Sequence, residues 1–325
     1  MNKQGDEVRG TGRPTMKDVA SKAGVALKTV SRVVNGEPGV TAATASRVLG
    51  AIEDLGFRRN ESARLLRTGQ TATLGFIASD WTDPDHAAVY RGLEEVARSN
   101  GYLLYSGSTD RDPEREEQLA LAMCARRVDG LIIIPTPGSH DYLVSEIEAG
   151  VAAVFVLRPP ALVRADAVLP DERGGGRAAV AHLIAQGHRR IGFVAGDPDT
   201  HRATELLAGY ADAMTAAGLT ADPAWTTLTA RQLPRAPVTA VLCADRTQTE
   251  AALHALAGGH DHPAVVGFGD FALADLVSPP VSVLVYDSVL IGRTAGELLI
   301  RRLAGGEAED APPRTVHVPV RLITR

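Results

Sequence analysis

Lys22, Lys28 and Arg32 crowd around one short apolar run, DVASKAGVALKTVSRVVNGEPGVT at 18–41, in a chain whose net charge is −5. Hydroxyls at Thr29 and Ser31 sit beside those cations, and glycines at Gly24 and Gly36 bracket the run. Long cations reach guanine O6 and N7, and hydroxyls meet phosphates or base edges, so this mixture suits reading duplex DNA. The charge is unevenly divided. Residues 1–70 hold twelve Lys and Arg against seven Asp and Glu, a surplus of five positive charges, so the remainder carries a surplus of ten negative ones. A basic module on an acidic body points to a polyanion as the first module's partner. An ordinary solvated helical face is the plainer alternative.

The positioning elements follow from periodicity. Met16, Val19, Ala20 and Ala23 space out one short amphipathic helix behind Thr15, which can cap it. Gly24 permits the left-handed turn that ends it. Leu27, Val30, Val33 and Val34 give a second helix whose outward residues are Lys28, Thr29, Ser31 and Arg32. Thr41 caps a third, with Ala45, Val48, Leu49, Ile52 and Leu55 as its apolar stripe. Two short helices around a glycine turn are a helix-turn-helix.

From Leu74 onward, short apolar runs alternate with longer helical patterns. TLGFIA (73–78), YLLYSG (102–107), GLIIIP (130–135), AAVFVL (152–157), AVLP (167–170), RIGFVAG (190–196), AVLCAD (240–245) and AVVGFG (264–269) read as parallel strands. The pattern is α/β. Loops at strand ends are where such sheets bind ligands. Trp81, Asp85 and His86 follow the first strand, Asp110 the second and Arg158 the fourth, while Arg202, Asp245 and Phe268 are candidates in the later half. Each has a plain alternative as a solvated loop residue, but a loop tryptophan in a chain with 4% aromatics suggests a stacking surface.

Catalysis finds no constellation. GGG at 174–176 lacks the Lys-Ser/Thr of a phosphate loop, and no G-x-S-x-G elbow is present. HDH at 260–262 is too few ligands for a metal site, and DWTDPDH at 80–86 lacks calcium-loop spacing. No enzyme activity, metal or cofactor is expected. Cys124 and Cys243 sit in apolar runs and read as buried thiols. The polar N-terminus does not look like a signal peptide, and no run is long enough to cross a membrane, so the expected location is cytoplasmic.

The run MKDVASKAGVALKTVSRVVNGEPGVTAATASRVLGAIEDLGFRRNESARLL resembles the headpiece of LacI/GalR-type repressors. Similarity continues through LGFIASDWTDP, RGLEEVARSNGY, DPEREEQLALAMCARRVDGLIIIP, GHRRIGFVAG, VVGFGD and VHVPVRLITR. The resemblance implies an α-helical helix-turn-helix headpiece on an α/β periplasmic-binding-protein-like body of two doubly wound subdomains with a cleft between them. The expected division is a tail at 1–14, headpiece at 15–59, hinge helix and linker at 60–71, and body at 72–325. Within the body, subdomain 1 takes 72–158 and 284–312, and subdomain 2 takes 159–283 and 313–325.

The same resemblance implies residue roles. Leu27 and Lys28 choose bases, and Arg32 reaches a guanine. Thr15, Thr29, Ser31, Asn35, Thr41, Thr44 and Asn60 contact the DNA backbone, and Lys17 and Ala63 join the contact set. In NESARLLRTG (60–69), Leu66 would wedge into the central base step once two copies meet; a core leucine is the alternative. Ala26 replaces the usual serine at the second helix's start, and Arg59 the usual proline. In the cleft the polar set is poorly kept. Leu157, Ala244 and Gly269 replace polar residues, and Leu206 stands where the ligand-binding arginine is usual, with Arg202 the alternative occupant. The implied function is a repressor that binds a palindromic operator as a homodimer and answers to a small molecule that is not a plain monosaccharide. No leucine heptad follows LITR, so a tetramer-forming tail is not expected. A regulator with a vestigial cleft, or a solute-binding protein, are the competing readings.

Overall fold

The computed structural model describes residues 14–34, 36–57, 71–257, 262–271, 274–278, 280–305 and 311–325. It divides into two compact units, residues 1–69 and 70–325.

Within the first unit, α1 (Met16–Ala23), α2 (Leu27–Val34) and α3 (Ala42–Leu55) pack around Val19, Val30 and Val48, all fully buried. Each end of α1 has a cause. The Asp18 carboxylate accepts from the backbone N–H and the hydroxyl of Thr15, both at 2.7 Å. Gly24 closes the helix in the left-handed region at φ 63°. Val30 is the buried residue of α2, with Val33 and Val34 half-buried beside it, which leaves Lys28, Thr29, Ser31 and Arg32 around the rest of the helix.

The second unit holds two sheets. The first is all parallel, in the order β10-β5-β4-β3-β1-β2: Thr315–Val318, Asp166–Pro170, Ala152–Val156, Gly130–Ile133, Thr73–Ala78 and Leu103–Ser108. The second runs β11-β9-β8-β7-β6: Arg321–Ile323, Ser282–Val285, Ala264–Phe268, Ala240–Cys243 and Ile191–Val194, with only β11 antiparallel. Helices α4 (Pro84–Ser99), α5 (Pro113–Ala125), α6 (Glu172–Ala185), α7 (His201–Ala216), α8 (Arg246–Leu256) and α9 (Ser288–Leu303) cover the sheets, with short helical turns at Val144–Glu148 and Pro223–Thr226.

Sheet membership corrects the expected subdomain division. β5 lies at residues 166–170 and β10 at 315–318, yet both pair into the first sheet. The segment after Arg158 therefore does not open the second subdomain. It loops back, and Val154 pairs with Asp166. The reason is an anchor that spans the chain. Asp166, 3% exposed, accepts two bonds from the Arg302 guanidinium (2.8 and 2.9 Å) and one from the Arg314 backbone. A buried carboxylate demands such partners, and they come only from α9 and the approach to β10. β9, at 282–285, belongs wholly to the second sheet, and so does β11.

Helix crossings in each half need glycine. A Cβ on Gly292 would run into the Val89 carbonyl where α9 crosses α4, and one on Gly209 into the Arg173 carbonyl where α7 crosses α6. The GGG run is spent the same way: Gly174 lies against the capping Asp171 carboxylate, Gly175 against Val320 and Gly176 against the Leu206 backbone. Cys124 and Cys243 are buried free thiols, pushed up to about 12 by burial.

Candidate functional site

The headpiece offers one polar surface. On α2, Leu27 is 45% exposed and Lys28 is exposed, while Thr29, Ser31 and Arg32 are half-buried around the buried Val30. The Arg32 guanidinium reaches to Gly39, close enough that a Cβ there would touch it at ordinary van der Waals distance. With Ala26 ahead of it, α2 has only a backbone start, Thr29 N–H to the Ala26 carbonyl at 2.8 Å.

Thr41 caps α3 by accepting from the Thr44 N–H (3.3 Å), and its hydroxyl donates to the Thr44 hydroxyl at 3.0 Å. Thr15 and Lys17 are exposed at the start of α1, where the Thr15 bonds hold the Asp18 carboxyl below its ordinary range. Asn35, Asn60, Ala63 and Leu66 lie outside the described residues.

In the body, residues that follow strand ends of the two sheets come within electrostatic reach of one another where the cleft is expected, Arg158 after β4 close to Glu172 and Arg202. After β1, Trp81 is 38% exposed and packs edge-on against Tyr90 and tilted against Phe76, each centroid 5.7 Å away. Asp85 accepts from the Ser288 hydroxyl at 2.7 Å, which joins the start of α4 to the start of α9. Arg158, half-buried beyond β4, donates to the Pro135 carbonyl at 3.1 Å. Leu157 before it is buried in the left-handed region at φ 66°, a strained conformation for a leucine. Opposite, Arg202 donates Nε–H to Glu172 at 2.9 Å and lays its guanidinium 4.5 Å above the Phe268 ring. Burial pushes the Glu172 carboxyl up in spite of that guanidinium, while Arg202 stays charged.

Not every expected residue reaches the cleft. Leu206 is fully buried in the second core with Ala203 and Tyr210, so it is no ligand position; Arg202, one turn earlier, is the arginine present. Phe268 is 1% exposed and serves as the floor under Arg202. His86 turns inward, Nδ1 2.6 Å from the Asp80 carbonyl, and burial lowers its pKa. Asp110 is a solvated residue paired with Arg115 at 3.0 Å, and Asp245 caps α8 by accepting from the Gln248 N–H.

Three residues escaped sequence reasoning. Glu172, 1% exposed, has Oε2 without a hydrogen bond. The Tyr286 hydroxyl is also buried without a partner. Ser288 holds Asp85. Both Glu172 and Tyr286 follow strand ends, after β5 and β9, and the strand-end rule applied to those two strands would have found them. Among the described residues no group of three or more His, Cys, Asp or Glu could hold a metal.

Residues 15–60 match the profile of bacterial regulatory proteins of the lacI family, and residues 180–325 match the periplasmic binding protein-like domain. The HTH-type transcriptional regulator CelR of Thermobifida fusca is 33% identical, over 96% of this chain and 95% of that protein. The chain belongs to the LacI family. A solved complex of the transcriptional regulator CelR with cellobiose superposes with a TM-score of 0.68 at 32% identity, over 96% of this chain and 99% of that one. The lac repressor dimer bound to operator and the anti-inducer ONPF gives 0.78 at 25% identity, over 97% and 98%. This LacI-family protein is thus a DNA-binding transcriptional regulator, with a helix-turn-helix unit and a two-sheet body in which residues after strand ends of the two sheets come within electrostatic reach of one another.

Proposed function

We propose that the protein represses transcription as a cytoplasmic homodimer on a palindromic operator, and that a small molecule other than a plain monosaccharide, held in the body's cleft, controls it. Within the headpiece, Arg32 reads a base with Leu27 and Lys28 beside it, and Thr15, Lys17, Thr29, Ser31, Thr41 and Thr44 hold the DNA backbone. Two-fold symmetry of a dimer requires matching half-sites.

The observation that carries the effector reading is the lining of the cleft. Buried sugar hydroxyls each need a partner, and an unmatched one costs about 1–3 kcal/mol. Here Leu206 and Leu157 are buried core side chains, and Asp245 is occupied as a helix cap. Of the expected cleft residues, Trp81 is 38% exposed, and Arg158 and Arg202 are half-buried. Losing several sugar contacts would remove much of the roughly 8 kcal/mol of micromolar binding. CelR is described in complex with cellobiose, so neutral sugars are the competing class. Calorimetric titration with hexoses, pentoses and their disaccharides decides between them: micromolar binding of a plain hexose with release from DNA overturns the reading.

A further inference from the structure

Arg158 forms no ion pair among the described residues, although Glu172 and Asp83 act on it from farther off. Its one hydrogen bond among the described residues goes to the Pro135 carbonyl. It is half-buried, and burial together with the nearby Arg202 and Arg111 guanidiniums lowers its pKa. Arg111 and Arg202 each have a carboxylate of their own, Asp80 at 2.9 Å and Glu172 at 2.9 Å. Two further polar groups in electrostatic reach of one another make no hydrogen bond, Glu172 Oε2, which has the His201 ring nitrogen 3.8 Å away, and the Tyr286 hydroxyl. Glu172 is 1% exposed, and a buried acceptor left unmade is costly.

These three vacancies define complementary chemistry. A guanidinium matches a carboxylate in a two-pronged pair. A carboxylate oxygen accepts a hydroxyl proton, and a phenol can donate or accept. Charge decides between carboxylate and phosphate. The electrostatic neighbours of Arg158 are Arg202, Arg111, Glu172 and Asp83, and both other arginines already hold a carboxylate. Arg158 is thus the one cation of the three with no carboxylate, so it matches a single negative charge, whereas a phosphate dianion would bring a second charge with no unpaired arginine among them to meet it. The exposed Trp81 ring supplies a face for the ligand's carbon skeleton. We infer that the effector is a hydroxylated monocarboxylate, of the sugar-acid class, whose carboxylate pairs with Arg158 and whose hydroxyls reach Glu172 and Tyr286. This rests on the proposal that the cleft holds the effector.

The test is thermal melting and calorimetry of the full chain with D-gluconate, D-glucuronate and D-galacturonate, the neutral D-glucose and D-galactose, and D-glucose 6-phosphate. The variants are R158Q, R158K and W81A. At least one acid is expected to raise the wild-type melting temperature, to bind R158Q about tenfold or more weakly, and to retain part of its affinity for R158K. Without ligand, R158Q should melt no lower than wild type, because it removes a half-buried charge that forms no ion pair among the described residues. The inference is overturned if no acid binds, if a neutral parent or the phosphate ester binds as well as the acid, if R158Q binds the acid unchanged, or if R158Q alone melts clearly lower. Neutral-sugar binding that W81A abolishes would reject the carboxylate and keep the cleft. Binding indifferent to both W81A and R158Q would reject the cleft itself.

Discussion

Replacing Arg202 with methionine leaves Glu172, 1% exposed, without the guanidinium that now donates to it at 2.9 Å. Removing one partner of a buried pair costs about 3–5 kcal/mol while the other stays ionised. Loss of the guanidinium from the Phe268 ring, 4.5 Å below, accounts for about 1 kcal/mol. The rest depends on pH, since the stranded carboxyl can take up a proton. Its pKa is already raised by burial above the ordinary 4.5 and rises further once the cation is gone. A raised folded pKa means the folded state holds the proton more tightly than the unfolded chain. That stability is fully present below the unfolded value and is lost as pH rises through the folded one, at about 1.4 kcal/mol per unit. His201, 3.8 Å from Oε2, and Glu205 also face the carboxylate, and both are retained in the variant.

The expected destabilisation is therefore about 3 kcal/mol or more at pH 8 and about 1 kcal/mol near pH 5. Urea unfolding followed by tryptophan fluorescence measures it, because Trp81 and Trp225 both lie in the body. The double variant Arg202→Met, Glu172→Gln should remove the pH dependence and keep the smaller constant loss. A penalty equal at pH 5 and pH 8, or a double variant as pH-sensitive as the single one, refutes the buried-pair reasoning.

Arg32→Ala should lose about 1–3 kcal/mol on a selected duplex and little on random DNA, by fluorescence anisotropy; equal losses on both would remove its base-reading role. Thr44→Val should weaken every duplex alike while α3 keeps its cap, because Thr41 accepts from the backbone N–H of residue 44; an unchanged affinity on all sequences counts against a phosphate contact. Gly209→Ala should destabilise the body by about 1–3 kcal/mol through collision with the Arg173 carbonyl. By contrast Gly50→Ala, with open space around it inside α3, should stabilise the headpiece by roughly 1 kcal/mol in circular-dichroism melting; the reverse order would show that the helix crossing is not glycine-limited.

Apolar runs made β1 and β3 to β8 legible, because strands buried on both faces read as unbroken hydrophobic segments, and β2 was legible from YLLYSG although none of its residues is buried. β9 to β11 are short, and β10 and β11 are largely exposed, so their pattern is weak. Which sheet β5 joins could not be read locally, since the Asp166–Arg302 pair spans 136 residues of sequence. The core position of Leu206 was legible by period alone. Ala203, Leu206, Tyr210 and Ala213 recur at helical spacing and are all buried, whereas the family pattern drew attention to Leu206 as a ligand position. Glu172 and Tyr286 stand just past β5 and β9, where the chain crosses between sheets, so the strand-end rule points to them and periodicity does not.

The measurement that bears most directly on the account is selection of DNA by the full chain from a random duplex pool, followed by binding to the enriched sequence across a salt series. The account predicts a palindrome of two half-sites, bound with an affinity that falls steeply as salt rises, and lost selectively at one symmetric base pair in Arg32→Ala. Recovery of no common sequence, or of a site without two-fold symmetry, would contradict it.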